Sequence, residues 1–509
     1  MDTQPTVSLL RPAAAGAPPA PGVPPDCLTD LALDHVFTVV TAGRAEYHLE
    51  DYLWAPLTDP AEVVHRQEAM RDVERPEVSG PVRDFADGMR VVRTARSRSA
   101  GYRHPVQRRT TLLEAAEAYI RVVRQFSERL TSAAPASEGL RGLAAHLQGL
   151  VGSAAFATLA DDAARTRAAL DGVTYRLQVS NDRVRVSKAT GYEHDYAAEI
   201  AAVFERFRHG STRTHVTRAP EQAEMNHVEE GIAERVETLC PGPFALLADF
   251  ATTHSDFMDP GVRTADRELQ FLLAAIEFAR RLEASGLPTC WPEVAADGYE
   301  LVDAYDPALV VGRPGETVVR NDLELHGEER VALVTGPNQG GKTTFARMVG
   351  STAYLTSLGF RAPARRARLP LADRVLTHFG RAERLADLRG ALEDDLVRLR
   401  EILGAATPRS LVVLNEVFTS TSVADAVQLS RWALDRLLAS GCTCVWVTFL
   451  TELAATPGVV SHVSQVNPDD PTIRTFRVVR QPAGGPTWAE TLAIAQGLDH
   501  DSLKRRLAR

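Results

Sequence analysis

The chain has 509 residues, 44 % hydrophobic and 24 % charged, with a formal net charge of −9, which is a composition able to build proper cores. That charge excludes a protein coated all over with basic residues, though not a local nucleic-acid surface, and no segment reaches the roughly 18 apolar residues of a membrane-spanning helix. Five scattered cysteines, with only Cys442 and Cys444 close together, do not make a zinc site and fit a reducing cytoplasm.

Met1 to Asp26 is mostly Pro, Ala and Gly. Prolines break every apolar run in it, so it reads as a disordered tail (1–26) rather than a signal peptide. From Thr29 to about Glu300 the pattern is mainly helical. Leu112, Ala116, Tyr119, Val123, Phe126 and Leu130 recur at steps of three and four, as do Leu140, Leu143, Leu147 and Leu150. Val228, Ile232, Val236 and Leu239 repeat the pattern, and so do Leu269, Leu272, Ile276 and Ala279. Such stripes are seams for helix packing. The arginines clustered between Arg83 and Arg109, and again from Arg206 to Arg218, read as solvated helix faces or as local nucleic-acid surface. One interruption stands out. Val173 to Val179 and Arg183 to Ser187 alternate with the strand period around Ser180, Asn181 and Asp182, the pattern of a β-hairpin.

Past about Leu301 short Val- and Leu-rich runs alternate with helical stretches. Strands are predicted at Val331–Val334, Ser410–Leu414 and Cys444–Thr448, and helices at Lys342–Leu358, Asp394–Leu403 and Asp425–Leu438. This alternation implies a largely parallel sheet covered by helices. The sequence thus divides into a helical region, 27–300, with a small β insertion near 173–188, and an α/β region, 301–509.

Within the α/β region Gly336-Pro337-Asn338-Gln339-Gly340-Gly341-Lys342-Thr343 follows an apolar strand and opens a helix. That is the phosphate-binding loop in its proper setting. Its glycines let backbone N–H groups turn towards phosphate oxygens, and the helix start adds partial positive charge. Lys342 is expected to reach the β- and γ-phosphates of ATP, and Thr343 to ligate Mg²⁺. Downstream, the apolar run Ser410–Leu414 ends in Asn415 and Glu416. Asn415 offers magnesium an oxygen but no charge, and Glu416 is the candidate general base.

These residues resemble the MutS family of DNA mismatch-repair ATPases. Thr335–Thr344 is close to the family's TGPNMGGKST, and Asn415–Asp425 resembles its DEIGRGTSTYDG with Thr421, Ser422 and Asp425 in register. Val319–Asp322 and Ala372–Gly380 are similar to two further family segments, in the same order. Leu53–Gln67, with its Arg66-Gln67 pair, resembles more loosely the start of the family's helical core, and the predicted hairpin lies where the family carries a DNA-contacting clamp. The resemblance implies a P-loop ATPase domain (ABC-type, MutS-like) preceded by an all-α core and lever domain with a β clamp insertion. It also implies ATP and Mg²⁺ as ligands, DNA as partner, a homodimer and a cytoplasmic location. Arg183, Arg185 and Lys188 on the hairpin are the candidate phosphate-backbone contacts to DNA.

Departures from the family pattern shape the expectations. The mismatch-reading and connector domains are expected to be absent. Gly390 stands at the family's signature Ser, with Asp395 keeping an acidic position. Phe449 stands at a switch His, and Val318 at the aromatic that stacks on adenine. Leu492–Leu507 resembles a short dimerisation tail. Two readings follow: slow, DNA-modulated ATP hydrolysis coupled to clamp-like DNA binding in repair or recombination, or a non-hydrolysing ATP switch or scaffold.

Overall fold

The computed structural model describes residues 8–12, 22–180, 183–189, 224–380, 390–467, 473–483 and 504. The segment 206–218 and most of 492–507 therefore lie outside the described residues. The chain forms two compact units. One comprises 1–75, 136–140 and 267–509, the other 76–135 and 141–266.

Helices in chain order are α1 (Cys27–Asp30), α2 (Leu33–Val40), α3 (Glu50–Leu53), α4 (Pro60–Glu74), α5 (Pro76–Gly101), α6 (Pro105–Ser132), α7 (Glu138–Val151) and α8 (Ala154–Asp171). There follow α9 (His227–Leu239), α10 (Pro241–Thr253), α11 (Pro260–Ala284), α12 (Pro307–Gly312), α13 (Lys342–Ser357), α14 (Ala391–Ala405) and α15 (Val423–Ser440).

The helical unit is built on α5, α6, α8, α9 and α10. The stripe on α6 buries Ala116, Tyr119, Val123, Phe126 and Leu130, and Phe85 of α5 stacks on Phe126 with ring centroids 4.2 Å apart. Gly88 lets the two helices close, since a Cβ there would stand 2.5 Å from Val122. Several arginines of the 83–109 cluster are paired: Arg93 with Asp266, Arg96 with Asp256 at 3.0 Å, and Arg109 with Glu237 at 3.9 Å. The stripe on α9 is shallower than its period suggests, with Val236 buried and Val228 exposed. The hairpin forms as β1 (Tyr175–Ser180) and β2 (Arg183–Lys188), antiparallel, with Ser180 opposite Arg183.

The second unit carries a six-stranded sheet of β6 (Val331–Thr335), β8 (Val375–Phe379), β9 (Leu411–Asn415), β10 (Thr443–Val447), β11 (Val459–Val466) and β12 (Arg474–Arg480), after β3 (Glu293–Ala295), β4 (Tyr299–Ala304), β5 (Asn321–Leu325) and β7 (Arg366–Pro370). Its order is β12-β11-β6-β10-β9-β8, all parallel except β12. The inner strands are apolar throughout, Val331 to Val334 and Leu411 to Leu414 being fully buried, as a sheet covered on both faces requires. Strands β3, β7, β4 and β5 form a second, mixed sheet that the sequence pattern did not single out.

The compact units differ from a division at residue 300. Residues 27–75 and 267–300 belong with the α/β region because α13 needs covering on faces its own sheet does not reach. A Cβ on Gly350 would lie 2.5 Å from Leu31. Tyr354 donates to the Leu53 carbonyl at 2.8 Å, and Arg347 to that of Asp30 at 2.9 Å. Ser8–Pro12, inside the stretch expected to be disordered, are placed, with Leu9 and Leu10 buried. Two leucines in a Pro/Ala background suffice to bury apolar area once a groove receives them.

His462 on β11 is buried against Phe345, ring centroids 5.9 Å apart, and burial lowers its pKa from 6.5 to about 4. A proton therefore binds the unfolded chain first as pH falls. The neutral ring costs nothing above the unfolded pKa, and stability is lost between there and about 4. Wild type is expected to lose about 1 kcal/mol more than His462→Leu between about pH 7 and about pH 5.5. Urea melts of both proteins at the two pH values measure it, and equal losses would remove His462 from the account.

Candidate nucleotide-binding site

The phosphate loop runs from the end of β6 into α13. Strand β6 lies between β10 and β11, so the chain departs to both sides of it, and the loop sits at the carboxyl ends of the strands where α/β sheets receive ligands. Gly341 is the N-cap of α13 at φ +91°, and Gly336 turns at φ +122°. Both are conformations that a side chain resists. Space imposes a second demand. A Cβ on Gly340 would stand 2.4 Å from Ser464 Oγ, and one on Gly336 2.9 Å from Ser464 Cβ. Ser464 donates to the Gly340 carbonyl at 2.6 Å, so β11 braces the loop from behind. No motif marks that serine in the sequence.

Lys342 is buried, and its Nζ donates to the carbonyls of Gly336 (3.0 Å) and Pro337 (3.1 Å) and to Asn338 Oδ1 (3.2 Å). Glu416 Oε1 lies 3.7 Å away. Burial lowers the lysine's pKa, while Glu416 pulls it back up. The ammonium is thus preorganised inside the loop on neutral acceptors that a phosphate oxygen can replace. Thr343 Oγ1 donates to Asn415 Oδ1 at 2.9 Å, which brings together the two oxygens expected to face Mg²⁺. A hydroxyl and an amide oxygen side by side beside a phosphate cradle fit that hard cation.

Glu416 sits at φ +53° and Phe418 at φ +65°, costs of order 1–3 kcal/mol each that persist where the surroundings over-determine them. The surroundings are visible here. Glu416 N–H donates to Val447 O at 2.9 Å, and Phe418 N–H to Asp395 Oδ2 at 3.1 Å. His378 Nε2 lies 3.1 Å from the other oxygen of Asp395, without hydrogen-bond geometry. Asp395 therefore holds the loop that carries Glu416. Gly390 caps α14 with no side-chain hydrogen bond. Ser422 caps α15, accepting from Asp425 N at 3.2 Å and donating to its carboxylate at 2.7 Å.

A cavity of about 370 Å³ adjoins the loop, bordered by Gln339, Thr344, Leu309, Val318, Glu416 and Phe476 among others. Val318 stands on its wall as the sequence suggests. Phe476 was not anticipated. It lies at φ +57° on β12, and its ring is 3.5 Å from where a Cβ of Gly341 would be. Asn321 fixes it there, donating to the Phe476 carbonyl at 3.1 Å and accepting from Val478 N at 2.7 Å. Phe449 is half-exposed at the end of β10.

Arg183 and Arg185 are exposed on β2 in the other unit, and the two-residue strand period sets them on one face with Lys188 on the opposite one. The Arg66-Gln67 pair serves packing: Arg66 donates to Leu358 O at 3.1 Å, and Gln67 to Pro292 O at 3.4 Å.

A strand–glycine loop–helix with a buried lysine, its threonine joined to the polar end of a second parallel strand, is the site of a P-loop nucleotide-binding domain. Residues 332–474 match the family model of MutS domain V, the ATPase domain of that family. The chain is 36 % identical over 163 residues to the DNA mismatch repair protein MutS of Thermotoga maritima, which is 32 % of this chain and 20 % of that protein. It is 40 % identical over 142 residues to the DNA mismatch repair protein MutS of Natronomonas pharaonis, 28 % of this chain and 16 % of that one. The matched part spans about a fifth or less of these relatives' length. Among the described residues no single helix is long and apolar enough to cross a membrane.

Proposed function

We propose that the protein is a MutS-like ATPase that couples Mg·ATP hydrolysis to clamp-like binding of DNA, as a cytoplasmic homodimer acting in DNA repair or recombination. The observation that carries the reading is the Thr343–Asn415 contact beside Lys342 and Glu416, at the loop where the MutS domain V match falls. Magnesium held by Thr343 and Asn415 would supply charge for the developing phosphate negative charge. Lys342 and the loop's N–H groups hold the phosphates, and Glu416 accepts the proton of the attacking water. Asn415 brings no charge, so turnover is slow. Phosphate release from Mg·ATP, stimulated by DNA and strongly reduced in Glu416→Gln, is the expected result. Nucleotide binding without turnover would replace this reading with that of a non-hydrolysing switch.

DNA contact in this reading runs through Arg183, Arg185 and Lys188 of the hairpin, touching phosphates without reading bases. Each neutralised phosphate steepens the dependence of log affinity on log salt by about 0.9. Changing both arginines to Gln should flatten the slope by close to 2 on that count, measured by fluorescence anisotropy on duplex DNA across a salt series. An unchanged slope would take the hairpin out of the interface.

A further inference from the structure

Ser8–Arg11 lies on a surface built by α4, α11 and the first turn of α7, and side chains of that surface hold its main chain. Leu9 and Leu10 are 0 % and 1 % exposed, yet the hydrogen bonds holding their main chain come from side chains. Leu9 N–H donates to Glu268 Oε2 at 2.6 Å, and Ser8 Oγ to Glu268 Oε1 at 2.7 Å. Leu10 N–H donates to Ser8 Oγ at 3.2 Å, and the Leu10 carbonyl accepts from Arg66 Nε at 3.4 Å. Arg11 Nη2 pairs with Glu62 at 2.7 Å. Gly139 completes the surface. A Cβ there would stand 3.2 Å from Leu9 Cα and 3.5 Å from Ser8 O, so any other residue would press on the segment's backbone.

A buried carboxylate and a buried guanidinium that bracket a peptide's N–H and C=O, two leucine sites between them and an acid for a following cation form a recognition surface for an extended peptide. We propose that this surface is a peptide-docking groove selective for Ser-Leu-Leu-Arg, filled by the chain's own residues 8–11, and that the segment is an exchangeable arm rather than a constituent of the core. Its occupancy touches the nucleotide unit at one point. Arg66, which holds Leu10 O, also holds Leu358 O at the end of α13, and its side chain packs on Gly359, where a Cβ would lie 3.1 Å from Arg66 Cδ. The helix that begins at the phosphate loop thus ends on the residue that grips the arm.

The test uses the full chain carrying Leu9→Asp and Leu10→Asp, which expels the arm, and a fluorescein-labelled peptide of the sequence of residues 5–14. Saturable polarisation is expected, at least about tenfold tighter than for wild type, whose own arm competes at a roughly millimolar effective concentration. A peptide carrying Ser8→Asp is expected not to bind, because its carboxylate would face that of Glu268. In wild type, hydrogen exchange of the Leu9 and Leu10 amides should outpace that of the α4 and α11 amides, through local opening. A variant with unchanged circular dichroism and melting that takes up no peptide overturns the proposal. So does a variant that fails to fold, or exchange at Leu9 and Leu10 that occurs only with global unfolding, since either makes the leucines part of the core.

Discussion

Lys342→Ala is expected to weaken Mg·ATP binding by roughly 100-fold or more, with little change in the stability of the nucleotide-free protein. Burial works against this ammonium, lowering its pKa, and its three hydrogen-bond acceptors are two carbonyls and an amide oxygen of its own loop. Deleting it therefore removes a costly buried cation together with the bonds that repay it, and the two roughly cancel in the empty loop. The balance changes with a triphosphate present. Hydrogen bonds between ionised groups are worth about 1.5–3 kcal/mol each, so losing two of them corresponds to roughly two to four decades in Kd. Arginine should not rescue, because its planar fork is wider than the point charge the loop encloses. Calorimetric titration of wild type and variant with Mg·ATP measures the difference. A Kd within threefold of wild type would show that the lysine does not face the phosphates, and the functional reading would fall with it.

The chemistry nearest in sequence was the most legible. Residues 336–344 declare a phosphate loop because every required group is local, and the pairing of Thr343 with Asn415 follows once β6 and β9 are parallel strands of one sheet. What stayed hidden came from far along the chain. Ser464 and Phe476 reach the loop from β11 and β12, and neither residue type has a spacing that announces it. Phe476 also adopts a positive φ that its side chain disfavours and its strand sequence conceals. Residues 27–75 illustrate a different gap. The sequence reads them as mainly helical, but helical character carries no information about which partner covers a helix, so only the structure assigns them to the α/β unit. The Ser422 and Asp425 positions were read from a family likeness, and their geometry gives them a local cause, a helix cap closed by its own carboxylate.

Glu416→Gln should separate binding from turnover. The exchange keeps the shape of the side chain and an acceptor oxygen and removes the basicity, so a general base at this position should lose about 10²–10⁴-fold in rate. Mg·ATP affinity should stay within a few-fold of wild type, because the exchange keeps the side chain's shape on the cavity wall and Lys342 keeps its three acceptors in the loop. The backbone argues for glutamine over a smaller residue. Glu416 sits at φ +53° and Phe418 at +65°, held by Val447 O and Asp395, and a substitution that let this turn relax would move Asn415 as well and confuse the two effects. Asp395→Asn serves as the control for position. It keeps an oxygen for Phe418 N–H, so its loss of rate should be well short of that of Glu416→Gln. Single-turnover phosphate release at saturating Mg·ATP, alongside a binding isotherm for each variant, resolves the two terms. If Glu416→Gln hydrolysed ATP at the wild-type rate, the water would be activated elsewhere, and the strain at this turn would need another explanation.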